Sequence, residues 1–174
     1  MKNIKIQKLS QCHAEEIANE WKYEGIYKFY DATEDAEDYQ ELISQELRGE
    51  RYFEVLSEDQ LIGFFVVNDS IPKVLDYGLG MKPELTGHGN GKIFIQKTIQ
   101  YILENYDVEK ITLSVALFNK RAIKCYEKCG FIKEKEFTME TNGLYIALLK
   151  CIESVESYNK DSSEEQNDLF IKTL

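Results

Sequence analysis

The sequence is poor in proline, lacks long apolar runs and carries fewer basic than acidic residues. Its 174 residues include only two prolines, which excludes a proline-rich or collagen-like chain. No run of about 18 consecutive apolar residues occurs, so we expect no membrane as a partner. The 21 lysines and arginines are outnumbered by 31 aspartates and glutamates, giving a net charge of −10. Because affinity for nucleic acid comes largely from basic surfaces, this balance argues against nucleic acid as a partner.

Cysteine and histidine are also few. The four cysteines (Cys12, Cys125, Cys129 and Cys151) form no CxxC pair, and only two histidines accompany them, so no metal site is predicted. Cys125 and Cys129 lie four residues apart on a predicted helix. This spacing permits redox coupling, but reduced, half-buried thiols are the simpler interpretation. The N-terminus has a strand pattern rather than a signal-peptide pattern, so we expect a cytoplasmic protein.

Hydrophobic spacing predicts one mixed α+β domain over residues 1–152 and an acidic tail over residues 153–174. The Asn142-Gly143 pair, between two strand-like runs, predicts a hairpin. Leu169, Phe170 and Ile171 are the residues that could pin the tail to the domain. The predicted order is a strand (3–9), two helices (10–23 and 35–48), three strands (51–56, 60–67 and 73–81), a helix (91–105), a strand (110–115), a helix (120–129) and two strands (132–140 and 144–152).

Three glycines occupy alternate positions of the segment LTGHGNGKIF, at a predicted strand-to-helix junction. A phosphate-binding P-loop is excluded because Thr86 stands where its first glycine is needed and Ile93 where its Ser or Thr is needed. The dinucleotide fingerprint is excluded because the spacing is Gly-x-Gly-x-Gly, the loop lies mid-chain, and no acidic residue ends the next strand. Two interpretations remain: a plain turn, or an anion site of backbone N–H groups at a helix N-terminus, near Lys82, His88 and Lys92.

A second motif, NKRAIKCYEKCGF (119–131), follows the next predicted strand. Together with MKPELTGHGNG, it resembles the acyl-CoA-binding core of the GNAT superfamily of N-acetyltransferases. The resemblance spans residues 74–131, and the predicted element order extends it to 3–152. It implies a single GNAT-like domain of the α+β (mixed α/β) class, with a mostly antiparallel sheet, a splayed parallel strand pair and flanking helices. It also implies an acyltransferase that moves acetyl from acetyl-CoA to a primary amine by direct attack, without a metal.

The resemblance also implies roles for individual residues. Backbone groups at the end of the fourth strand would face the acetyl group and pantetheine, and N–H groups of the glycine loop would hold the pyrophosphate. Tyr126 would protonate the departing thiolate, although a core tyrosine is the alternative interpretation. The implied cofactor-binding residues are Leu79, Gly80, Met81, Thr86, Gly87, His88, Gly89, Asn90, Gly91, Lys92 and Asn119.

Two positions depart from the pattern of the family. Thr86 stands where Arg or Gln is frequent, which weakens side-chain contacts to the pyrophosphate but leaves the backbone amides. Ser114 stands where enzymes that acetylate ribosomal-protein N-termini carry Glu, which argues against that activity.

The acceptor side is less defined by the sequence. Asp76 is the first candidate for the general base, with Glu84 or a chain of waters as alternatives. The aromatic stretch WKYEGIYKFYD lies where this family covers its acceptor, and aromatic faces suit cationic amines. We therefore assign Trp21, Tyr23 and Tyr30 to the acceptor site, with packing of the first helix as the alternative for Trp21.

Two other functions fit parts of the sequence. A non-catalytic acyl-CoA-binding or regulatory module fits the glycine loop, but the presence of Asn119 and Tyr126 favours an enzyme. A purely structural protein leaves the glycine spacing unexplained. The expected acceptor is a small-molecule, amino-acid or peptide amine, and the expected working form is a monomer or a homodimer.

Overall fold

Seven strands and five α-helices lie in residues 1–139 and 143–151, the part of the chain that the computed structural model describes. The predicted α+β class is therefore confirmed. The strands are β1 (Ile4–Lys8), β2 (Tyr52–Ser57), β3 (Gln60–Ile71), β4 (Val74–Met81), β5 (Lys110–Ala116), β6 (Ile132–Met139) and β7 (Gly143–Cys151), and the helices are α1 (Gln11–Glu20), α2 (Ala36–Ile43), α3 (Gln45–Arg48), α4 (Gly91–Asn105) and α5 (Lys120–Lys128). Short 3-10 helices occupy Gly25–Tyr30, Ala32–Glu34 and Pro83–Leu85.

The strands form one sheet in the order β1-β2-β3-β4-β5-β7-β6. All neighbours are antiparallel except β4 and β5, which are parallel. The β4–β5 pairing covers only Val74–Asp76 and Lys110–Thr112, after which the two strands separate. This confirms the expected splayed parallel pair and leaves a gap beside the second half of β4.

The two faces of the sheet carry separate hydrophobic clusters. One cluster includes Phe65 and the inner stripe of α4, in which Phe94, Ile95, Ile99 and Ile102 recur at helical spacing. The other contains Trp21 and residues of α1 and α2. Burying each large apolar side chain contributes about 1.5–3 kcal/mol. Helices are therefore held on both faces, and the gap between β4 and β5 lies between these two layers.

Two helices are shorter than predicted. The first ends at Glu20 rather than near residue 23, because Trp21 is extended and the Tyr23 N–H donates to the buried Asp31 carboxylate instead of a helical carbonyl. The second, predicted over residues 35–48, is interrupted at Ser44. The Ser44 side chain accepts a hydrogen bond from the Leu47 N–H and caps a new helix, a competition with helix continuation that serine side chains favour.

The remaining predictions on elements concern the C-terminal part. The Asn119 cap and the antiparallel pairing of β6 with β7 are confirmed. The turn residues 140–142 and the tail over residues 153–174 lie outside the described residues. None of the described helices has the length and apolar content needed to span a membrane.

Candidate active site

The edge of β4 that faces the gap offers backbone groups to a ligand. Lys82 N–H donates to the Ile62 carbonyl oxygen at 3.0 Å, and Gly80 lies opposite Phe64 in the same antiparallel register. Because hydrogen-bonding direction alternates along a strand, the N–H and C=O groups of Leu79 and Met81 point away from β3. They face the gap, where pairing with β5 has ended. This is where the sequence predicted an acyl-group contact.

Tyr23 closes over the end of β4. Its hydroxyl donates to the Met81 carbonyl oxygen at 2.8 Å, and its N–H donates to an Asp31 carboxylate oxygen at 2.8 Å. Burial raises the pKa of the Tyr23 hydroxyl above its usual range, and the nearby Asp31 charge adds to the effect. Tyr23 therefore stays neutral and acts as a fixed donor at this strand end.

The three glycines of the loop are needed for different reasons. Gly87 and Gly89 have φ angles of +81° and +80°, in the left-handed region that favours glycine. Gly91, the first residue of α4, is different, because a Cβ there would lie 2.9 Å from the Cys125 Sγ. Two glycines thus shape the turn, and the third makes room for α5.

The N-terminus of α4 has no side-chain cap. Asn90 takes the cap position, but its side chain donates to the Leu85 carbonyl oxygen at 3.2 Å. The first helical bond runs from the Phe94 N–H to the Asn90 carbonyl oxygen, so the N–H groups of the three preceding residues have no acceptor within the helix. An anion is favoured there by these donors and by the helix dipole. The other four α-helices have capping side chains, from Ser10, Asp35, Ser44 and Asn119.

The polar side chains around the loop lie in different places. The Thr86 hydroxyl donates to the Pro83 carbonyl oxygen at 2.8 Å, and His88 is exposed. The Lys82 side chain lies near two carboxylates: its Nζ is 3.1 Å from Glu16 and 3.6 Å from Glu84. The groups that this loop offers to an anion are therefore mainly its backbone N–H groups.

Arg121 is a candidate site residue that the sequence analysis did not identify. One terminal nitrogen lies 3.4 Å from the position of a Cβ on Gly87, and the guanidinium carbon lies 4.4 Å from the centre of the Tyr27 ring. Arg121 therefore connects the glycine loop with the aromatic 3-10 helix (Gly25–Tyr30). The sequence did contain a signal for Arg121: because Asn119 caps α5, the helix begins at Lys120 and Arg121 lies in its first turn.

Asn119 joins the second motif to the same 3-10 helix. Its Oδ1 accepts a hydrogen bond from the Ala122 N–H at 3.1 Å, and its Nδ2 donates to the Tyr30 hydroxyl at 3.2 Å. The Phe118 ring lies 5.9 Å from the Tyr30 ring and 5.4 Å from the Phe29 ring. The structure thus brings Asn119 and Tyr30, which are far apart in sequence, into direct contact.

Tyr126 lies on α5 in the main hydrophobic cluster. It is 8% exposed, and its ring packs edge-on against Phe131 at 5.7 Å. Burial raises the pKa of its hydroxyl above the usual range, and Tyr30 adds to the shift. Tyr126 is therefore a buried, neutral tyrosine beside the acceptor-side aromatic residues.

An acidic cavity of about 280 Å³ lies next to the residues that follow β4. Trp21 forms part of its wall, is 3% exposed, donates from Nε1 to Glu16 at 3.3 Å and packs on Phe64 at 6.0 Å. It therefore serves both as core and as lining. The cavity is lined by Glu16, Glu20, Trp21, Lys22, Lys82, Pro83 and Glu84.

Asp76 lies in the paired half of β4. It shares a strand face with Gly78 and Gly80, since side chains alternate between faces. Its carboxylate accepts a hydrogen bond from the Thr112 hydroxyl at 3.0 Å. Gly80 lies four positions further along the strand, a distance of about 13 Å. The structure therefore does not bring Asp76 next to the backbone groups that face the gap.

Residues 14–131 match the model of the Acetyltransferase (GNAT) family. The chain belongs to this family and is an acyltransferase of the GNAT type. It is 29% identical over 126 residues to spermidine N(1)-acetyltransferase of Vibrio cholerae, covering 68% of this chain and 73% of the relative. It is 31% identical over 90 residues to acetyltransferase PseH of Campylobacter jejuni, covering 50% of this chain and 56% of the relative.

Solved structures share the fold. Aminoglycoside acetyltransferase AAC(6')-Ib in complex with coenzyme A matches with a TM-score of 0.72 and 17% identity, over 89% of this chain and 98% of that one. The Vibrio cholerae spermidine N-acetyltransferase in complex with CoA and spermine matches with a TM-score of 0.68 and 22% identity, over 85% and 95%. Within residues 1–139 and 143–151, no cluster of three His, Cys, Asp or Glu residues suited to a metal is found.

Proposed function

We propose that this GNAT enzyme transfers acetyl from acetyl-CoA to a primary amine of a small molecule, an amino acid or a peptide. The open edge of β4 carries this proposal, because it presents the Leu79 and Met81 amides to a gap that the neighbouring strand leaves free. That gap lies near the uncapped N-terminus of α4, so one extended ligand with a phosphate group at one end fits both.

Three segments would hold the donor. The backbone amides from Gly87 to Lys92 would bind the pyrophosphate, with Arg121 as the nearby cation. Asn119 would contact the pantetheine arm, and the Leu79 and Met81 amides would bind the acyl end. Coenzyme A in two of the related structures supports this assignment. The side chains of Thr86, His88 and Asn90 contribute to the shape of the loop more than to its charge.

The reaction proceeds by direct attack. The neutral amine nitrogen forms a bond to the thioester carbon, and the Met81 N–H stabilises the oxyanion that develops. The C–S bond then breaks, and the thiolate takes a proton from the Tyr126 hydroxyl. A base takes the proton lost by the amine, and that proton, passed through solvent, restores the Tyr126 hydroxyl before the next turnover. Because the amine attacks the thioester directly, no covalent enzyme intermediate is formed.

The base belongs to the acidic cavity. Glu84 lies three residues after Met81 and lines the cavity, whereas Asp76 is about 13 Å from Gly80 along the strand. We therefore favour Glu84, or water held beside it, over Asp76. Glu16 is less suitable: burial raises its pKa, but hydrogen bonds from Lys82 and Trp21 outweigh that effect, and its net pKa is lowered. Glu84 also lies near Lys82, but at the longer distance of 3.6 Å and without a bond from Trp21.

The acceptor is a cationic amine. Three carboxylates and two lysines line the cavity together with Trp21, which leaves the cavity one net negative charge. Tyr23 adds an aromatic ring at the end of β4, and Tyr30 adds one beside Asn119. The related spermidine and aminoglycoside acetyltransferases act on molecules of this charge type, which supports the same class here. We also propose that the enzyme works in the cytoplasm as a monomer or homodimer, without nucleic-acid or membrane partners. Its catalytic domain would span residues 1–152, followed by an acidic tail over residues 153–174.

Two measurements test the function. Titration calorimetry with acetyl-CoA should show saturable binding, and its absence at millimolar donor would overturn the proposal. CoA release should then be followed with polyamines, aminoglycosides, free amino acids and peptides as acceptors. Binding without release for any amine would instead support a non-catalytic acyl-CoA-binding module.

A further inference from the structure

Two thiols contact the beginning of α4. The Cys125 Sγ occupies the space that a side chain on Gly91 would fill, and it is half-buried. The Cys129 thiol is buried and donates to the Lys92 carbonyl oxygen at 3.9 Å. Both sulfurs therefore touch the first turn of the helix whose N–H groups face the glycine loop.

The two thiols also interact with each other. When its single proton is turned from the Lys92 carbonyl to the Cys125 sulfur, the Cys129 thiol lowers the pKa of Cys125 to about 7; burial opposes this shift, and the charges of Lys128 and Lys92 assist it. The lowered pKa of Cys125 favours its thiolate, the form that reacts with oxidants. Cys129 lies just beyond the last residue of α5, and its N–H donates to the Cys125 carbonyl oxygen at 3.2 Å, so a bond between the two sulfurs has to open this helix end.

We propose that Cys125 is a site of reversible oxidation by peroxides, with Cys129 as its resolving thiol, and that the disulfide weakens ligand binding at the glycine loop. The disulfide itself is independent of the proposed function. Its effect on CoA rests on that function, because the loop must be the pyrophosphate site.

The chemistry balances with hydrogen peroxide as the only added reactant. The Cys125 thiolate attacks one peroxide oxygen, forms an S–O bond and releases hydroxide, giving a sulfenic acid. The Cys129 sulfur then attacks the Cys125 sulfur, loses its proton and displaces water. Two thiols are oxidised to one disulfide, and one peroxide is reduced to two waters.

Forming the bond must disturb the loop. Residues four apart on a helix hold their Cβ atoms farther apart than a disulfide allows, so the end of α5 has to rearrange. The Cys125 sulfur would then leave its contact with Gly91, and Cys129 would lose Lys92. The first turn of α4 would lose the packing that sets the direction of its N–H groups.

The first test detects the disulfide in the full chain. The protein is treated with hydrogen peroxide, its free thiols are blocked, and it is digested with trypsin without reduction. Cleavage after Lys124, Lys128 and Lys133 separates the two cysteines, so the disulfide appears as peptide 125–128 joined to peptide 129–133. A variant carrying Cys12→Ser and Cys151→Ser should form the same cross-linked pair, whereas Cys125→Ser and Cys129→Ser should not. Absence of the pair in the wild-type chain would overturn the proposal.

The second test measures CoA binding by calorimetry before oxidation, after it and after dithiothreitol. We expect an affinity loss of about tenfold or more, restored by the reductant, and no loss in Cys125→Ser. Bound CoA should also slow alkylation of Cys125 by iodoacetamide, but not that of the exposed Cys12. A disulfide that leaves CoA affinity unchanged would overturn the proposal. If the reduced chain binds no CoA, the proposed function fails and the effect on binding fails with it.

Discussion

The hydroxyl of Tyr23 donates to the carbonyl oxygen of Met81 at 2.8 Å, joining residues 58 positions apart. Tyr23 belongs to the aromatic stretch proposed to cover the acceptor, and Met81 ends the strand whose free edge faces the gap. This bond links the segment proposed to bind the amine to the residue whose N–H is proposed to hold the acetyl oxygen, through the carbonyl of that residue. The position of the strand end thus depends on a residue of the acceptor side.

Tyr23→Phe should lower turnover more than donor binding. One lost hydrogen bond of about 1 kcal/mol corresponds to a decrease of about fivefold in kcat, while the affinity for CoA should stay close to the wild-type value. Steady-state kinetics and calorimetry measure the two quantities. Tyr39→Phe is the matched control, because it removes a tyrosine hydroxyl bonded to Asn19 on the exposed side of α2. Equal decreases in both variants would contradict the assigned role.

Tyr126→Phe should lower kcat by about a hundredfold while leaving CoA affinity unchanged, because a general acid acts only in the chemical step. Since burial raises the pKa of Tyr126, turnover should not decline through the ordinary tyrosine range near pH 10 on its account. Tyr101→Phe, a half-buried ring in the same cluster, controls for the loss of a hydroxyl from the core. A kcat within twofold of wild type would remove Tyr126 from the reaction.

Glu54 should determine part of the stability in acid. It is 1% exposed, and burial raises its pKa, but hydrogen bonds from Ser10, His13 and Gln7 outweigh that effect and lower the net pKa. A lowered pKa stabilises the fold above the ordinary glutamate value and loses that contribution as the pH falls through the folded-state value. Glu54→Gln should lower the free energy of unfolding at pH 7 by about 1–3 kcal/mol and flatten its decline below about pH 4.5.

Urea denaturation between pH 3 and pH 7 measures this effect. Glu58→Gln, in an exposed turn, is the control and should follow the wild-type pH dependence. An unchanged acid dependence in Glu54→Gln would show that the carboxylate does not carry the linkage.

Periodicity predicted the strands and most helices because those signals are local. The alternation in β5 and the stripe of α4 follow directly from which face is buried. The end of α1 could not be predicted in the same way. It depends on Tyr23 bonding to Asp31 and Met81, and Met81 is distant in sequence.

The local geometry of the candidate site could be predicted where turns and caps determine it, but not where tertiary packing determines it. The glycine loop and the Asn119 cap are readable because turn and cap chemistry is local. The need for glycine at position 91 could not be predicted from the sequence, because it depends on the sulfur of Cys125 on another helix. The contact of Tyr30 with Asn119 likewise requires knowing that the aromatic 3-10 helix packs on Phe118.

Arg121→Ala should weaken the binding of phosphate-bearing donors. The guanidinium lies beside Gly87 and above the Tyr27 ring, so it is held in place before a ligand arrives. A charge-assisted hydrogen bond of about 1.5–3 kcal/mol corresponds to a loss in acetyl-CoA affinity of about tenfold or more. Acetyl-pantetheine, which has no phosphate, should be used equally well by both proteins. Lys120→Ala removes an exposed neighbouring charge and should leave acetyl-CoA affinity within twofold. If Arg121→Ala lowers kcat/KM equally for acetyl-CoA and acetyl-pantetheine, Arg121 acts by positioning the aromatic 3-10 helix through Tyr27. The prediction that it contacts a phosphate would then be wrong.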